Sequence, residues 1–571
     1  MKRVKKGWAV LLCLCMAVAF LPIPAFAADT AADTWDGTAD TDWYKAEETV
    51  FDIASAEALA GVSKLAANGE TFEGITLRLT RDIDLAGLAW DPIKNFCGIF
   101  DGENHKISNM HVEREEGQSG FFEYLNGAQV KNLVLEDAQV VMPDTNSSFY
   151  QGVLAGWATT GSEIINCGAS GSITADASGS DVPSVSGFIG SCKGDTKLAS
   201  CWSTVDVETT DSEMACMAGG LVGQWENAAN GAQIIDSYFG GSVTVAEATT
   251  SAGGILGAGL SFNGNVVLIK GCVSYGSLST PQNNANAVQI GALDEYGQAE
   301  DCLWLDNGQP GVIRLIVDWD TGTAEADPEF DETKCGDKVK EFDEKILSAL
   351  NSKAQTEGLW TLGINGYPVF SSQTDRIQAD YSAVEGAKSK IPADLSLYTD
   401  ETVKVLNDLL AHVDYQLSKD EQATVDEYAA AIETAVSKLQ FKAADYSKVE
   451  AAIEKAKALN KDEYTDFSKV EAAVSAVVYG KNITEQSMVD AMAAAIENEI
   501  SALEKKPAPM PSKPEEPSES SRPEGNPDSG TADAPQTGDS SNMMVWIAVM
   551  LMAGAGMTVS TVYSRKRKHS R

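Results

Sequence analysis

Few side chains in this sequence belong to the types that carry chemistry. It has four histidines: His105 and His111 flank an expected solenoid coil, with His105 in a turn-like DGENH string, His412 falls in a helical stretch and His569 lies in a basic tail. Asp82 and Asp84 are two residues apart, so on a strand they would share a face. Paired carboxylates about 5–10 Å apart would suit glycoside hydrolysis. Set against this, both positions also read as turn and edge residues. The cysteines include no CxxC pair, so zinc and thiol-redox motifs lack support, and no metal or cofactor is expected. No nucleophile elbow, metalloprotease helix or phosphate loop occurs, so no catalytic residue is assigned. What recurs is aromatic: Trp157, Trp202, Trp225, Tyr238, Phe239 and Tyr275. Turned outward, such residues form a stacked strip for sugar rings or a partner protein; turned inward, they are core. Trp157, Trp202, Trp225, Tyr238 and Tyr275 are the candidate ligand contacts.

The composition limits the partners. The chain has 571 residues, and its 43 basic against 83 acidic side chains give a formal charge of -40. A body this acidic repels nucleic acid and anionic lipid. A hydrophobic content of 43% excludes wholesale disorder. Lys2, Arg3, Lys5 and Lys6 precede an apolar run that ends at Pro22 and Pro24, followed by Ala25-Phe26-Ala27. This pattern predicts a secretory signal peptide over 1–27, with Ala25 and Ala27 the small residues read at the cleavage site. Cys13 and Cys15 would leave with it. The eight remaining cysteines could pair outside the cell, but Cys167, Cys201 and Cys272 share a register with Ser237, which favours free thiols buried in an interior ladder. Cys192 and Cys216 lie outside that ladder and could pair.

At the other end, Met543 to Tyr563 carries no charge and is long enough to span a bilayer as a transmembrane helix. Arg565, Lys566, Arg567 and Lys568 follow, which predicts a cytoplasmic tail. Upstream stands Ala534-Pro535-Gln536-Thr537-Gly538-Asp539. The order of motif, apolar span and basic tail resembles the sortase cell-wall sorting signal of Gram-positive bacteria, with Ala534 where that pattern has Leu. The resemblance implies sortase and peptidoglycan as partners, with Pro535, Thr537 and Gly538 as the motif and cleavage after Thr537. A simple single-pass anchor is the alternative. Seven prolines between Pro507 and Pro527 predict an extended, wall-spanning stalk over 505–533.

The middle of the chain repeats. Glycine-flanked apolar segments place Phe121, Val153, Phe188, Leu221 and Ile255 in one register, at spacings of 32, 35, 33 and 34. Each segment is followed by a branched strand ending in a small residue: Cys167, Cys201, Ser237, Cys272 and, as a fifth member, Cys302. A period near 34 made of short strands and turns predicts a solenoid, because one coil cannot bury both faces of its strands alone. A right-handed parallel β-helix fits best, with a propeller or prism as runners-up. Ala58, Leu59, Val62 and Leu65, following Ser55, predict a short helix capping the first coil. A second helical pattern over Lys338 to Leu350 is expected to cover the far end or decorate the last coil.

These beats, together with Thr80-Arg81-Asp82-Ile83-Asp84-Leu85, Phe100-Asp101-Gly102 and Gly366-Tyr367-Pro368-Val369-Phe370, resemble the GLUG-repeat family of bacterial surface proteins. The resemblance implies a β-helix over 50–375 and leaves the ligand open.

A second unit follows. Ala379-Asp380-Tyr381-Ser382 recurs as Ala444-Asp445-Tyr446-Ser447, and Glu421-Gln422 as Glu485-Gln486. Helical periodicity in each copy predicts two three-helix bundles, over 376–440 and 441–504. They resemble the FIVAR-type helical modules of Gram-positive surface proteins, which implies a sugar-binding, matrix-binding or spacer role.

The sequence therefore predicts a mainly β protein: signal peptide 1–27, linker 28–49, β-helix, two bundles, stalk, and a sorting signal over 534–571. The expected function is adhesion, or glycan or host matrix protein binding, at the cell surface. The alternatives are a wall scaffold without a dedicated ligand and a carbohydrate-processing enzyme or accessory subunit.

Overall fold

The structure, a computed structural model, describes residues 34–507 except 116, 144–148, 160, 177–182, 211–215, 247–250, 261–264, 266, 282–286 and 319–322. From Val50 to Val339 the chain winds as a parallel β-solenoid. A typical coil starts at Glu163–Ile165 in a nine-stranded sheet A and turns into Gly168–Asp176 of sheet B. It then crosses Ser184–Ser186 of the five-stranded sheet D and Ile189–Gly194 of sheet C before rejoining sheet A at Lys197–Ala199. Successive coils pair in parallel, so each strand finds its hydrogen bonds one repeat away in the sequence.

The central residue of each sheet A strand points inward, giving the buried column Leu77, Phe100, Val130, Ile164, Leu198, Ile234 and Ile269. Between sheets A and B the backbone turns through one left-handed residue per coil: Asn132, Asn166, Ser200, Asp236, Gly271 and Asp301. Asparagine, aspartate and glycine tolerate that conformation best. Asn166 Nδ2 donates to Asn132 Oδ1 at 2.9 Å, and Asn132 Nδ2 to Asp101 Oδ1 at 3.0 Å.

The next residue in each coil forms the ladder Cys167, Cys201, Ser237, Cys272 and Cys302, all fully buried. Cys201 Sγ donates to Ala199 O and to Ile164 O one coil away, both at 3.4 Å, and Ser237 Oγ donates to Ile235 O at 2.8 Å. Cysteine and serine interchange here because both are small and can donate to these carbonyls. All eight cysteines of the described residues are free thiols, Cys192 and Cys216 included.

One register differs from the sequence reading. Phe122 pairs with Ala155, Ala155 with Ile189, Ile189 with Val222 and Val222 with Leu256. The apolar column is thus Phe121, Leu154, Phe188, Leu221 and Ile255. Leu154, not Val153, is the member from the second coil. Gly152 pairs in sheet D with Ser186, and Ser186 with Gly219, each three residues before the paired sheet C residues Ala155, Ile189 and Val222, so the counterpart of Gly152 is Gly219 and not Gly220.

The first coil is covered by helix α1, Ala56–Ala67, whose Ser55 cap accepts from Ala58 N at 3.2 Å. Residues 34–49, read from sequence as a linker, pack on this helix: Trp35 is 4% exposed and Asp40 N donates to Glu57 O at 2.8 Å. Gly61 permits that approach, since a Cβ there would stand 1.9 Å from Asp40 O. Helix α2, Glu344–Asn351, covers neither end of the solenoid and packs on its flank.

The first helical bundle comprises α3, Ser382–Lys388, α4, Asp400–Ala411, and α5, Gln422–Ser437, closing over Val384, Leu406, Val425 and Ile432. Helices from Ser447–Ala458 onward belong to a separate compact unit with Val449, Val470, Val489 and Ile496 buried. The same devices open both bundles. Asp380 and Asp445 each accept from the amide two residues on at 2.8 Å, and Tyr381–Tyr415 and Tyr446–Tyr479 pair at 4.9 and 5.0 Å.

The expected architecture needs one correction, which removes the C-terminal transmembrane helix from it. Among the described residues no helix is long and apolar enough to cross a membrane. The segment 543–563 given that role lies outside the described residues, as do Ala25, Ala27, Pro535, Thr537 and Gly538.

Candidate functional site

The five candidate aromatics occupy three settings. Trp202, Tyr238 and Tyr275 come from successive coils of sheet B, where Gly168 aligns with Trp202 and Trp202 with Tyr238. They follow the inward cysteine ladder by one residue, or by three for Tyr275, and project from the outer face of the sheet. Their rings stack, Trp202 on Tyr238 at 6.1 Å and 10° and Tyr238 on Tyr275 at 5.9 Å and 21°. Gly168 is the coil before Trp202, and a Cβ there would lie 1.9 Å from the indole.

This ladder is covered by the chain itself. A hairpin, Trp360–Leu362 with Pro368–Phe370, lays Phe370 edge-on to Tyr238 at 5.1 Å and stacks Tyr367 on Tyr275 at 4.6 Å and 6°. Phe342 and Leu350 complete the cluster, and Tyr238 has no exposed surface. Polar contacts border it. Tyr238 Oη donates to Gln373 Oε1 at 2.9 Å, and that oxygen also accepts from Phe370 N at 2.7 Å. The Arg376 guanidinium lies 4.2 Å from the Trp202 ring and donates to Thr204 Oγ1 at 3.2 Å. Lys106 bridges Glu136 at 2.7 Å and Asp375 at 3.3 Å. Burial pushes the Tyr238 phenol up to about 12. The seam therefore seals the outer face of sheet B, leaving beside it a cleft of 580 Å³ lined by Tyr275, Tyr367, Asp375 and Arg376.

Trp225 is in the solenoid interior, 1% exposed, with Nε1 donating to Gly194 O at 3.3 Å. Trp157 is on the outer face of sheet C and half-buried. It forms a cluster that the sequence did not single out: Tyr124 at 5.7 Å, Tyr150 edge-on at 5.3 Å and Lys193 Nζ 5.5 Å from its ring. Tyr150 Oη donates to Glu226 Oε1 at 2.6 Å, and Gln224 Nε2 donates to the same oxygen at 2.7 Å. Burial, then the bond to Glu226, raises the Tyr150 phenol well above its ordinary value. Tyr124 was legible as Trp157's neighbour one coil back, 33 residues earlier, had the correct register been known. Tyr150 comes from sheet D and carried no such signal.

Of the paired carboxylates, Asp82 directly precedes and Asp84 ends the two-residue strand Ile83–Asp84, and both are taken up by local hydrogen bonds. Asp82 Oδ1 accepts from Lys106 N at 3.0 Å and lies 3.0 Å from His105 Nδ1. Asp84 Oδ1 accepts from Ala86 N and Asn109 Nδ2, both at 2.8 Å. His111 Nδ1 lies 2.9 Å from Gln139 Oε1. Among the described residues no cluster of three or more His, Cys, Asp or Glu side chains could hold a metal ion.

Comparison with known proteins adds little. No family profile matches the chain, and no curated protein matches it. Among solved structures, "IgA1 Protease" is similar over 64% of this chain and 28% of that one, at 15% identity and a TM-score of 0.34. The similar region thus spans well under a third of that protein. The chain is a β-solenoid with C-terminal helix bundles, an architecture compatible with a surface or scaffolding protein.

Proposed function

We propose that the protein is exported and displayed at the surface of a Gram-positive bacterium, where its solenoid binds a glycan or a protein. The observation that carries this reading is the Tyr124–Trp157–Tyr150 cluster, three half-buried aromatics grouped on the outer face of sheet C. Rings with a polar rim, here Lys193, Glu226 and Gln224, are the usual means of holding a sugar face or an apolar side chain at a wet surface. The signal-like segment ending at Ala27, the Pro535-Gln536-Thr537-Gly538 motif and the GLUG-like and FIVAR-like repeats support export and attachment to peptidoglycan by a sortase. The test is an array of glycans and matrix proteins probed with the protein and with Trp157→Ala. Binding lost in the variant supports the reading, and equal binding removes Trp157 from it.

A second reading, a wall scaffold without a dedicated ligand, is favoured by the Trp202–Tyr238–Tyr275 ladder. Its rings are spent on the chain's own 342–376 segment, a structural use of aromatic area. Silence on the array from a folded protein would select it.

A further inference from the structure

The N-terminal end of the solenoid holds a cleft of 390 Å³, within the range of small-molecule sites. Helix α1 supplies Ala60, Lys64 and Ala67, the loop after Ala89 supplies Trp90 and Lys94, and the packed arm supplies Trp35. The lining mixes Ala39, Ala60 and Pro92 with polar surface, and the rim carries Lys64, Lys94 and Arg114 against the single carboxylate of Asp91. In a chain with 83 acidic and 43 basic residues, that is a local reversal of sign.

The two lysines also differ from those of the coils. Lys131, Lys197 and Lys270 each meet a carboxylate of a neighbouring coil, at 3.0, 2.9 and 3.1 Å. Arg114 is held by Glu123 at 3.1 Å. Neither Lys64 nor Lys94 has an ion-pair partner among the described residues. Two ammonium groups without an ion-pair partner, over walls of mixed polarity, match a ligand that has a negative charge on a body with both hydroxyls and an apolar ring face. A bare phosphate would leave the walls unused. A long polyanion would meet the acidic body beyond the cleft, whose field reaches about 8 Å at physiological salt.

We propose that this cleft binds a carboxylate-bearing sugar residue, of uronic or sialic type, at the end of a glycan. The carboxylate sits between Lys64 and Lys94, and the ring lies against the alanine wall. This site is separate from the Trp157 cluster, and either can fail without the other.

Calorimetry on the purified protein tests it, with four probes: a glucuronic-acid-terminated and a sialic-acid-terminated oligosaccharide, a neutral glucose-terminated one, and inorganic phosphate. At least one acidic glycan should bind at least about tenfold more tightly than the neutral glycan and phosphate. The double variant Lys64→Gln/Lys94→Gln should weaken that binding about tenfold or more, and Lys64→Arg/Lys94→Arg should retain it. Both lysines are exposed, so the variants should keep the wild-type circular dichroism. No binding of either acidic glycan, equal binding of the neutral one, equal binding of phosphate, or an unaffected Gln variant would each overturn the proposal.

Discussion

Trp157 lies in the strand column of Ser191 and Gln224, whereas Trp225 lies one position further along, in the column of Cys192. Both tryptophans stand five residues after a glycine, in the segments GVLAGW and GLVGQW, and so look equivalent. Gly152 is in register, through Ser186, with Gly219 rather than with Gly220, so the two segments are offset by one, and in a strand a shift of one moves a side chain to the opposite face. The same residue type thus becomes surface in one coil and core two coils on.

The two substitutions should therefore behave differently. Trp225→Ala opens a cavity in the solenoid and should cost about 3–5 kcal/mol, read as a lower denaturant midpoint of the solenoid transition. Trp157→Ala removes a half-buried ring and should move that midpoint by much less. Equal shifts would mean the register is wrong.

The seam on sheet B should respond in two steps. Tyr238→Phe removes the bond to Gln373 and should cost about 1 kcal/mol. Phe370→Ala removes the ring packed on Tyr238 and Trp360 and should cost about 3–5 kcal/mol. Limited proteolysis should then cut between 340 and 376 in the Ala variant well before it cuts the wild type. An unchanged cleavage pattern would show that the hairpin is not held by the ladder.

The interior thiols should be silent towards electrophiles. Burial pushes Cys201, Cys216 and Cys302 up to about 12, and raises Cys167, Cys192 and Cys272 well above the ordinary thiol value. Of the eight cysteines in the described residues, the native protein at pH 8 should label with maleimide chiefly at Cys97, the half-buried one, and at all eight after unfolding. Rapid native labelling of Cys167 or Cys201 would contradict the closed ladder.

Asp101 should contribute to acid sensitivity. Burial pushes its carboxyl up, but the Glu103 amide, the Lys131 ammonium at 3.0 Å and the Asn132 amide outweigh this and hold it below the usual value. A depressed carboxylate stabilises the fold above its unfolded pKa of about 3.9, and that contribution disappears as pH falls through the folded value. Asp101→Asn should lower stability at pH 7 and flatten the loss between pH 5 and pH 2. A variant with the wild-type slope in that window would remove Asp101 from the account.

Much of the architecture was legible because a solenoid writes each column at a near-constant interval. The Cys167, Cys201, Ser237, Cys272 and Cys302 ladder needed only counting. The apolar column failed at one coil, because Gly152 resembles Gly220 in its sequence setting but pairs in the column of Gly219. The direction of the aromatics was hidden for a different reason. Period places Trp202, Tyr238 and Tyr275 above one another, but whether an outer face is wet depends on what later folds across it. Here that is a hairpin more than 80 residues downstream of Tyr275. The cleft at Lys64 and Lys94 was likewise unreadable, since α1, the Ala89–Lys94 loop and the residue 34–49 arm meet only in three dimensions.

The most direct test of the central claim is binding measured side by side for the wild type, Trp157→Ala and Tyr238→Phe on the same glycan and matrix-protein array. If the outer face of sheet C is the binding surface and the ladder is a structural seam, Trp157→Ala loses the signal and Tyr238→Phe keeps it. Full binding by Trp157→Ala, or no binding by the folded wild type, would contradict the account.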